Sequence, residues 1–180
     1  MLDITNIAEM FPINHERVGI RLFTEKDITK EYISWLNDPE VVKFSNQRFK
    51  FHDSDSSKAF LKYINSLDAI FLKIIHKQSD EFIGTMTVYF SLNHSTADIG
   101  IMVGNRKFWN QGIGAEAWTA LMNFLLDKLN VRKVTGGTLS CNRGMIRIFE
   151  KVGMIQDGIR IEQEIFDDKA HDIVYFAKFK

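Results

Sequence analysis

A glycine-containing loop is the segment of this sequence whose residue types and spacing most clearly indicate chemistry. It lies between a predicted strand and a predicted long amphipathic helix. The first turn of a helix has unpaired backbone N–H groups and the positive end of the helix dipole, so it attracts phosphate groups. Gly112 and Gly114 would let the backbone approach an anion without obstruction from a Cβ atom. The loop therefore predicts phosphate binding, with a plain strand-to-helix connection as the alternative, and it consists of Trp109, Asn110, Gln111, Gly112, Ile113, Gly114, Ala115 and Glu116.

The same loop excludes two common nucleotide-binding motifs. A Walker-type loop needs a lysine and a serine or threonine after its last glycine, and these residues are missing here. A dinucleotide-binding fingerprint needs a third glycine, which is also missing. The phosphate-bearing ligand is therefore expected to be of another kind.

The elements upstream of this loop follow from the apolar periodicity. Residues 18–23 predict a strand, and Thr24 to Asp27 resembles a helix capping box. A second helix is predicted to begin at the cap formed by Asp53. Short polar turns then separate residues 69–75, 82–90 and 96–103, so these three strands should form an antiparallel meander. The inner faces of the two helices are expected to carry Ile28, Tyr32, Trp35 and Leu36 in the first, and Phe60, Ile64 and Leu67 in the second.

Downstream of the loop, the pattern predicts a long helix, a strand over residues 131–139 and a short helix over residues 143–151. Residues 159–166 and 172–179 are predicted to form a final β-hairpin. Strands ahead of a strand–loop–helix–strand unit indicate a mixed α/β (α+β) fold, in which helices flank a mostly antiparallel sheet. The buried stripe of the long helix is expected to be Trp118, Leu121, Met122, Leu125 and Leu129.

Composition and charge narrow the class of protein. The chain has 180 residues, of which 45% are hydrophobic and 26% charged, as in an ordinary globular domain. Lys plus Arg equals Asp plus Glu at 23 each, so nothing favours nucleic acid or an anionic membrane as a partner. One domain over residues 1–180 is expected, with residues 1–16 as an N-terminal extension whose role stays open.

Cysteine and histidine usage argues against a metal site. The single cysteine, Cys141, excludes an intramolecular disulfide and a cysteine-rich zinc site. The five histidines show no paired ligand spacing, so no metal is expected. The chain start lacks a basic segment followed by an apolar run, and no apolar stretch reaches the ~18 residues that a membrane helix needs. A cytoplasmic protein is therefore expected.

Three motifs in register resemble the GNAT superfamily of N-acetyltransferases over roughly residues 17–180. The strand, the segment from Trp109 to Gly114 and the long helix match its Q/R-x-x-G-x-G/A signature, with Trp109 in place of the usual first Arg or Gln. The segments from Asn142 to Met154 and from Trp35 to Val41 are similar to motifs of the branch that includes the RimJ/RimL-type enzymes. The resemblance implies the GNAT fold, with a central twisted sheet flanked by helices, and acetyl-CoA as co-substrate.

The resemblance also implies which residues would contact acetyl-CoA. The backbones of Ile101, Met102 and Val103 should hold the acetyl and pantetheine part, and residues 111–115 should donate N–H groups to the pyrophosphate. Asn142 should bind the pantetheine arm, although it could simply cap the next helix. Phe149 should pack beside the thioester, although it could equally be plain core. The 3′-phosphate could meet Arg106, Lys107, Arg143 or Arg147.

The resemblance implies a general base at Asp98. This residue stands 14 positions before Gly112, the offset at which histone-acetylating members carry a catalytic Glu, and Ala97-Asp98-Ile99 mirrors their A-E-I. A carboxylate can take the proton that an ammonium must lose before its nitrogen attacks a thioester. Because Asp is one methylene shorter than Glu, a bridging water is expected. The alternative is an exposed strand residue without a catalytic role.

The sequence departs from the family where a general acid is expected. Many members have a Tyr at the position of Phe149, and related enzymes have a Ser at the position of Met145. Neither residue present here can donate a proton. A thiolate of pKa near ~8.5 could leave without an acid, or another hydroxyl could serve. Cys141 is a further candidate, against the interpretation that it is a small apolar filler.

Three classes of acceptor amine stay open at this point. The RimJ/RimL likeness suggests a protein N-terminal α-amine. An amino-sugar nucleotide is suggested by two segments that look like those of acetyltransferases of surface-polysaccharide pathways. These are the stretch of His94 and Ala97 to Ile101, and the segment from Asp167 to Asp172. A polyamine or aminoglycoside is third, because no acidic cluster stands out. The rival from another class is a coenzyme-A-binding module without catalysis, and a homodimer is one expectation for the oligomeric state.

Overall fold

A computed structural model of the chain describes residue 2 and residues 4–180. Its centre is an eight-stranded sheet with the order β1-β2-β3-β4-β5-β6-β8-β7. The three meander strands and the C-terminal hairpin that the sequence predicts are confirmed, although the hairpin strands are longer than predicted. The strands are β1 (Ile13–Asn14), β2 (Val18–Leu22), β3 (Ala69–His76), β4 (Glu81–Ser91), β5 (Thr96–Val103), β6 (Lys133–Leu139), β7 (Ile155–Phe166) and β8 (Lys169–Phe179).

One pair of neighbouring strands differs from the rest of the sheet. β5 and β6 run parallel and pair only over Thr96–Asp98 and Lys133–Thr135, whereas every other neighbouring pair is antiparallel. Beyond Asp98, residues 99–103 of β5 and 136–139 of β6 have no strand partner on their facing edges within the described residues. The sheet therefore opens into a gap, the β5–β6 gap, in its middle.

Four α-helices cover the two faces of the sheet and follow from their caps. Thr29 accepts the Tyr32 N–H at the start of α1, and Asp53 forms a capping box with Ser56 at the start of α2. α3 continues through a π-helical segment, Phe124–Lys128. The helices are α1 (Lys30–Leu36), α2 (Ser54–Ile64), α3 (Ile113–Asn123) and α4 (Arg143–Lys151).

The two faces of the sheet bury separate apolar clusters. α3 and α4 pack on the larger cluster, in which Trp118, Leu121 and Phe149 are almost fully buried. α1 and α2 pack on the smaller one, which is built around aromatic contacts of Phe23, Tyr32, Trp35, Phe71 and Phe82. Each helix therefore holds the loop at its end in a fixed place relative to the sheet.

Two expectations about the helices are wrong in detail. The Thr24–Asp27 capping box forms, but it caps a short 3₁₀ turn, because Ile28 leaves helical geometry and α1 begins after Thr29. Leu67 is 39% exposed, because α2 ends at Ile64 and the inner face does not extend that far.

The segment before residue 17 packs against the sheet. β1 adds an edge strand to β2, and Leu2 and Ile7 belong to the larger apolar cluster. Among the described residues, no helix combines the length and apolar character needed to cross a bilayer.

Candidate active site

The loop predicted to bind phosphate lies at the N-terminus of α3. Gly112 is the N-cap with φ of +78°, a left-handed conformation that favours glycine, and Asn110 also has a positive φ of 59°. The side chains of Ile113 and Ala115 are buried, with 1% and 6% exposed, so only their backbone amides are available to a ligand. The geometry thus presents the amide end of a helix, as the sequence predicts.

Gly114 marks a close approach between three elements. A Cβ atom on Gly114 would lie 3.2 Å from Ile148 Cδ1 of α4 and 3.6 Å from Val103 Cγ2 of β5. The first turn of α3 therefore packs directly on the end of β5 and on α4. This packing brings the loop, the β5 residues and the start of α4 into one region.

Two side chains give the loop its shape. The Trp109 indole N–H donates to the Val103 carbonyl at 2.8 Å, and the Gln111 side-chain amide donates to the Lys107 carbonyl at 2.6 Å. The Arg106 guanidinium lies 5.4 Å from the Trp109 ring centroid. The side chains of Trp109 and Gln111 thus bind the protein, and their predicted contacts with the cofactor stay a prediction for the backbone.

Two cations beside Gly112 were missed by the sequence reasoning. A Cβ on Gly112 would lie 3.7 Å from Lys151 Nζ and 3.8 Å from Arg17 Nη2. The Arg17 guanidinium donates to the Gln111 carbonyl at 3.1 Å and pairs with Glu116 at 2.9 Å, and the Arg17 backbone N–H also donates to Glu116. No spacing rule could find these residues, because Arg17 is 94 positions from Gln111 in the chain.

The backbone of β5 offers only alternate residues to the β5–β6 gap. In an antiparallel ladder, the N–H and C=O of successive residues point to opposite sides. The Val103 carbonyl faces away from β4, since it accepts from Trp109, so Ile101 faces the gap as well. Because the direction alternates from Val103, the backbone groups of Met102 should point to β4, where Met102 lies opposite Thr85. Of the three predicted residues, Met102 is therefore the one whose backbone groups do not face the gap. Ile99, which was not predicted, faces the gap by the same alternation.

The side chain of Asn142 caps α4. Its Oδ1 accepts the Met145 N–H at 3.2 Å, and its Nδ2 donates to Thr138 Oγ1 at 2.9 Å. The capping alternative is thus confirmed, and one N–H of the amide is left for another acceptor. Cys141, immediately before it, is half-buried.

Phe149 is a core residue. Only 1% of it is exposed, and its ring packs against Trp118 at 5.1 Å and Phe176 at 4.9 Å between ring centroids. A Cβ on Gly136 of β6 would lie 3.0 Å from Phe149 Cε1. The core interpretation of Phe149 is confirmed, while a contact with a thioester stays a prediction.

Asp98 lies where β5 and β6 separate. Its Oδ2 accepts a hydrogen bond from Thr135 Oγ1 at 2.6 Å. Burial raises the pKa of the Asp98 carboxyl above its usual value, and the Thr135 hydrogen bond opposes this rise only in part. A carboxyl with a raised pKa is a better proton acceptor than an exposed aspartate.

Asp98 also lines a cavity of about 290 Å³ on the α1–α2 face of the sheet. The C-terminal hairpin bounds this cavity opposite the loop that follows α1. The Tyr175 ring of β8 lies across Gly137 of β6, where a Cβ would be 2.9 Å from its Cε1 atom. The lining residues are Phe44, Asn46, Asp98, Gly137, Thr138, Leu139, Arg160, Gln163, Glu164, Ile173 and Tyr175.

No metal centre is found in the part of the chain that the structure describes. Within residue 2 and residues 4–180, no three His, Cys, Asp or Glu side chains are grouped so as to hold a metal ion.

Comparison with known proteins decides the family. Residues 17–155 match the domain family described as acetyltransferase (GNAT) domain. The chain belongs to the GNAT acetyltransferase family. The mixed eight-stranded sheet with flanking helices is the GNAT fold, and acetyl-CoA is the acetyl donor of this N-acetyltransferase.

Individual relatives of this GNAT acetyltransferase are distant. It is 27% identical over 146 residues to the uncharacterized N-acetyltransferase YnaD of Bacillus subtilis, covering 81% of this chain and 84% of that one. The RimL ribosomal L7/L12 α-N-protein acetyltransferase in complex with coenzyme A superposes with a TM-score of 0.81 at 14% identity, over 94% and 98% of the two chains. A Vibrio cholerae spermidine N-acetyltransferase in complex with coenzyme A and spermine gives 0.79 at 14%, over 92% and 96%.

The geometry of this GNAT acetyltransferase fits acetyl-CoA. The amide end of α3 and the cations Arg17 and Lys151 suit the anionic diphosphate. Beyond the Asp98–Thr135 pair, the edge of β5 that faces the gap at Ile101 has no strand partner among the described residues, and such an edge suits the amides of a pantetheine arm. Asp98 stands at the closed end of this gap, next to the cavity.

Proposed function

We propose that this acetyltransferase transfers the acetyl group of acetyl-CoA to a primary amine by direct attack, with Asp98 as the general base. The observation that carries the proposal is the position of Asp98, which lies at the end of the β5–β6 gap and lines the cavity. A group in this place can meet an amine that approaches from the cavity toward a thioester in the gap.

The proposed reaction can be written by following its protons and electron pairs. The Asp98 carboxylate takes a proton from the acceptor ammonium, directly or through a water, and thereby frees the nitrogen lone pair. The nitrogen bonds to the acetyl carbonyl carbon, and the carbon–sulfur bond breaks with its electron pair on sulfur. The second proton leaves the new amide nitrogen, and the coenzyme A thiolate takes up a proton from solvent or remains ionised.

The cofactor side of the proposal rests on charge. Residues 111–115 would donate amide hydrogen bonds to the pyrophosphate, with Gly112 in the left-handed conformation that turns the backbone toward it. Arg17 and Lys151 would neutralise part of the pyrophosphate charge, because both have a nitrogen within 4 Å of the position that a Cβ on Gly112 would occupy. Asn142 would use its remaining N–H on the pantetheine arm.

The cavity favours some acceptors over others. A polyamine needs several carboxylates, yet Glu164 is already engaged by Arg48 at 3.7 Å and Asn46 at 3.4 Å, which leaves Asp98 as the free acid. This disfavours the polycation specificity that the Vibrio cholerae spermidine enzyme has by name. A protein N-terminal amine and an amino-sugar nucleotide both remain candidate acceptors. Membership of the RimJ/RimL-type branch and a homodimer stay predictions.

The test combines a binding measurement with a turnover measurement. Acetyl-CoA at a hundredfold excess over Kd should stabilise the folded protein by about 2.7 kcal/mol in a thermal melt. Asp98→Asn should lower acetyl transfer, followed as free thiol release with saturating acetyl-CoA, by roughly 10²–10⁴-fold. The melting shift should stay, since Asp98 is not assigned a cofactor contact.

A matched control separates the base from general effects of charge loss. Asp80→Asn removes an exposed carboxylate that pairs with Arg21 on the surface, and its activity should equal that of the parent. If Asp98→Asn behaves like Asp80→Asn at neutral pH, Asp98 is not the base. If acetyl-CoA stabilises the fold but no amine gives thiol release, the non-catalytic coenzyme-A-binding module is the correct alternative.

A further inference from the structure

Arg160 places an uncompensated positive charge in the cavity that contains Asp98. It lines the cavity from β7, and no ion pair or hydrogen bond of its side chain is found within the described residues. The other arginine at this end of the cavity, Arg48, is engaged by Glu164 and by the carbonyls of Ser45 and Ile165. The two cavity charges without a charged partner are therefore a carboxylate, Asp98, and a guanidinium, Arg160.

The Arg160 side chain is exposed, and its guanidinium lies over an aromatic ring. Its Cζ atom lies 5.4 Å from the centroid of the Tyr175 ring, which is a cation–π distance. The ring itself cannot shift toward the sheet, because it already lies across Gly137, where even a Cβ would be too close at 2.9 Å. Gly137 thus makes room for Tyr175, and Tyr175 supports Arg160 with its N–H groups free to bind an anion.

We propose that Arg160 selects acceptor amines that carry an anionic group, a carboxylate or a phosphate, at a distance from the amine. The inference rests on the proposed function, since Asp98 must receive the amine for Arg160 to receive the anion. An arginine fork binds either anion through paired, charge-assisted hydrogen bonds.

The spacing of the two groups sets the length of the acceptor. Asp98 is bound to Thr135, and the Tyr175 ring that supports Arg160 lies over Gly137, two residues further along β6. Two strand residues span roughly 7 Å, so an acceptor that extends from one group to the other fits, as in a phosphorylated amino sugar or an ω-amino acid.

The walls of the cavity favour a small acceptor over a folded protein. The hairpin tip contacts the loop after α1 through polar and aromatic contacts. Arg48 donates to the Ile165 carbonyl at 3.1 Å and pairs with Glu164 at 3.7 Å, Asn46 donates to Glu164 at 3.4 Å, and the rings of Phe44 and Phe166 pack at 5.2 Å between centroids. These contacts close one end of a cavity of about 290 Å³. A compact molecule with its own anionic group suits this space better than a chain end attached to a globular protein.

The experiment compares acceptors that differ in the anionic group. Thiol release would be measured at saturating acetyl-CoA with glucosamine against glucosamine 6-phosphate, and with 5-aminopentan-1-ol against 5-aminopentanoate. We expect kcat/KM to be roughly 10- to 100-fold higher for at least one anionic member of these pairs, as for a charged hydrogen bond. The phosphate and carboxylate arms identify which anion is used.

Substitution of Arg160 tests the cause. Arg160→Gln should remove the advantage of the anionic acceptor and leave kcat/KM for its neutral partner unchanged, whereas Arg160→Lys should keep part of the advantage. The control is Arg21→Gln, which removes an exposed arginine on β2, far from the cavity, and should change neither value.

The outcomes separate this inference from the proposed function. If both members of each pair are acetylated equally, if spermidine exceeds both, or if Arg160→Gln lowers both members alike, the inference about Arg160 is wrong and the acetyltransferase function stands. A peptide amine preferred over every small acceptor would overturn it in favour of a protein substrate. Thiol release from no acceptor would overturn the proposed function itself.

Discussion

The hydrogen bond from Thr135 to Asp98 allows a direct test of the base through its pH dependence. Thr135 and Asp98 face each other in the short parallel pairing of β5 and β6, with 2.6 Å between Oγ1 and Oδ2. Thr135→Val keeps the branched shape of the side chain and replaces the hydroxyl by a methyl group. The carboxylate of Asp98 then loses a donor that stabilises its charged form.

The sign and size of the effect follow from the two causes that act on Asp98. Burial raises the pKa of this carboxyl, and the Thr135 hydroxyl lowers it, so removal of the hydroxyl must raise the pKa further. A hydrogen bond to a charged group contributes about 1.5–3 kcal/mol, and one pKa unit corresponds to about 1.4 kcal/mol. Loss of the hydroxyl should therefore favour the protonated form of Asp98 by about 1.5 kcal/mol, the lower figure, because Asp98 is only partly buried.

The assay is the pH profile of kcat/KM at saturating acetyl-CoA. A general base works when deprotonated, so the acidic limb of the profile should move to higher pH in Thr135→Val, the direction in which loss of the hydrogen bond moves the pKa of Asp98. Thr119→Val, which removes a hydroxyl that donates to the Ala115 carbonyl within α3, should leave the limb in place. An acidic limb that coincides with that of the parent would refute the assignment of Asp98 as the base.

The same pKa has a consequence for stability. A carboxyl whose pKa is higher in the folded than in the unfolded chain binds more protons when folded. Its contribution to the free energy of unfolding is therefore present at low pH and is lost as the pH rises from the unfolded value, 3.8, through the raised folded pKa. Thr135→Val should widen this window.

Two further predictions concern the cofactor side. Arg17→Ala is best made in a Glu116→Gln background, so that loss of the ion pair leaves no unpaired carboxylate. Relative to Glu116→Gln alone, it should weaken acetyl-CoA binding by roughly 10- to 100-fold in calorimetry, with little change in kcat. An unchanged Kd would remove Arg17 from the site. Gly114→Val should abolish the melting shift produced by acetyl-CoA. Gly114→Ala should keep most of it, because its Cβ would be tight only against the flexible end of Ile148, at 3.2 Å, and would lie at an ordinary contact distance of 3.6 Å from Val103 Cγ2. A full shift in the valine variant would contradict the phosphate-loop argument.

Much of the fold could be predicted because local signals agree with the final structure. The α4 bounds, Arg143–Lys151, and the meander strands follow from the periodicity, since polar turns and caps bound them. The start of α1 could not be predicted, because two capping sequences, at Thr24 and Thr29, compete within six residues and only tertiary packing selects between them. Neither could β1, since two paired residues carry no period.

The parts of the candidate site that lie within one local segment could be predicted from the sequence, whereas the residues that come from distant elements could not. Gly112 begins the long helix and Asp98 lies on the strand before it, as the sequence predicts, while their roles with cofactor and substrate stay predictions. Arg17, Lys151 and Arg160 reach the site from other elements, across large separations in sequence, and surface arginines and lysines are too common to single out. The hydrogen bond of the Trp109 side chain to the Val103 carbonyl could not be read from the sequence, because it depends on how the loop folds onto β5.

The position of Phe149 bears on how coenzyme A leaves. Because its ring fills the core between Trp118 and Phe176, a hydroxyl added there would be surrounded by apolar groups and would have to be desolvated. The fold therefore stabilises an apolar residue at the position where many relatives are expected to hold a tyrosine. A thiolate with a pKa near ~8.5 is a good leaving group without protonation, and only the acceptor ammonium needs help from a base at neutral pH. We therefore expect catalysis to depend on the Asp98 side of the β5–β6 gap, where Thr135 binds the proposed base and the cavity would admit the amine.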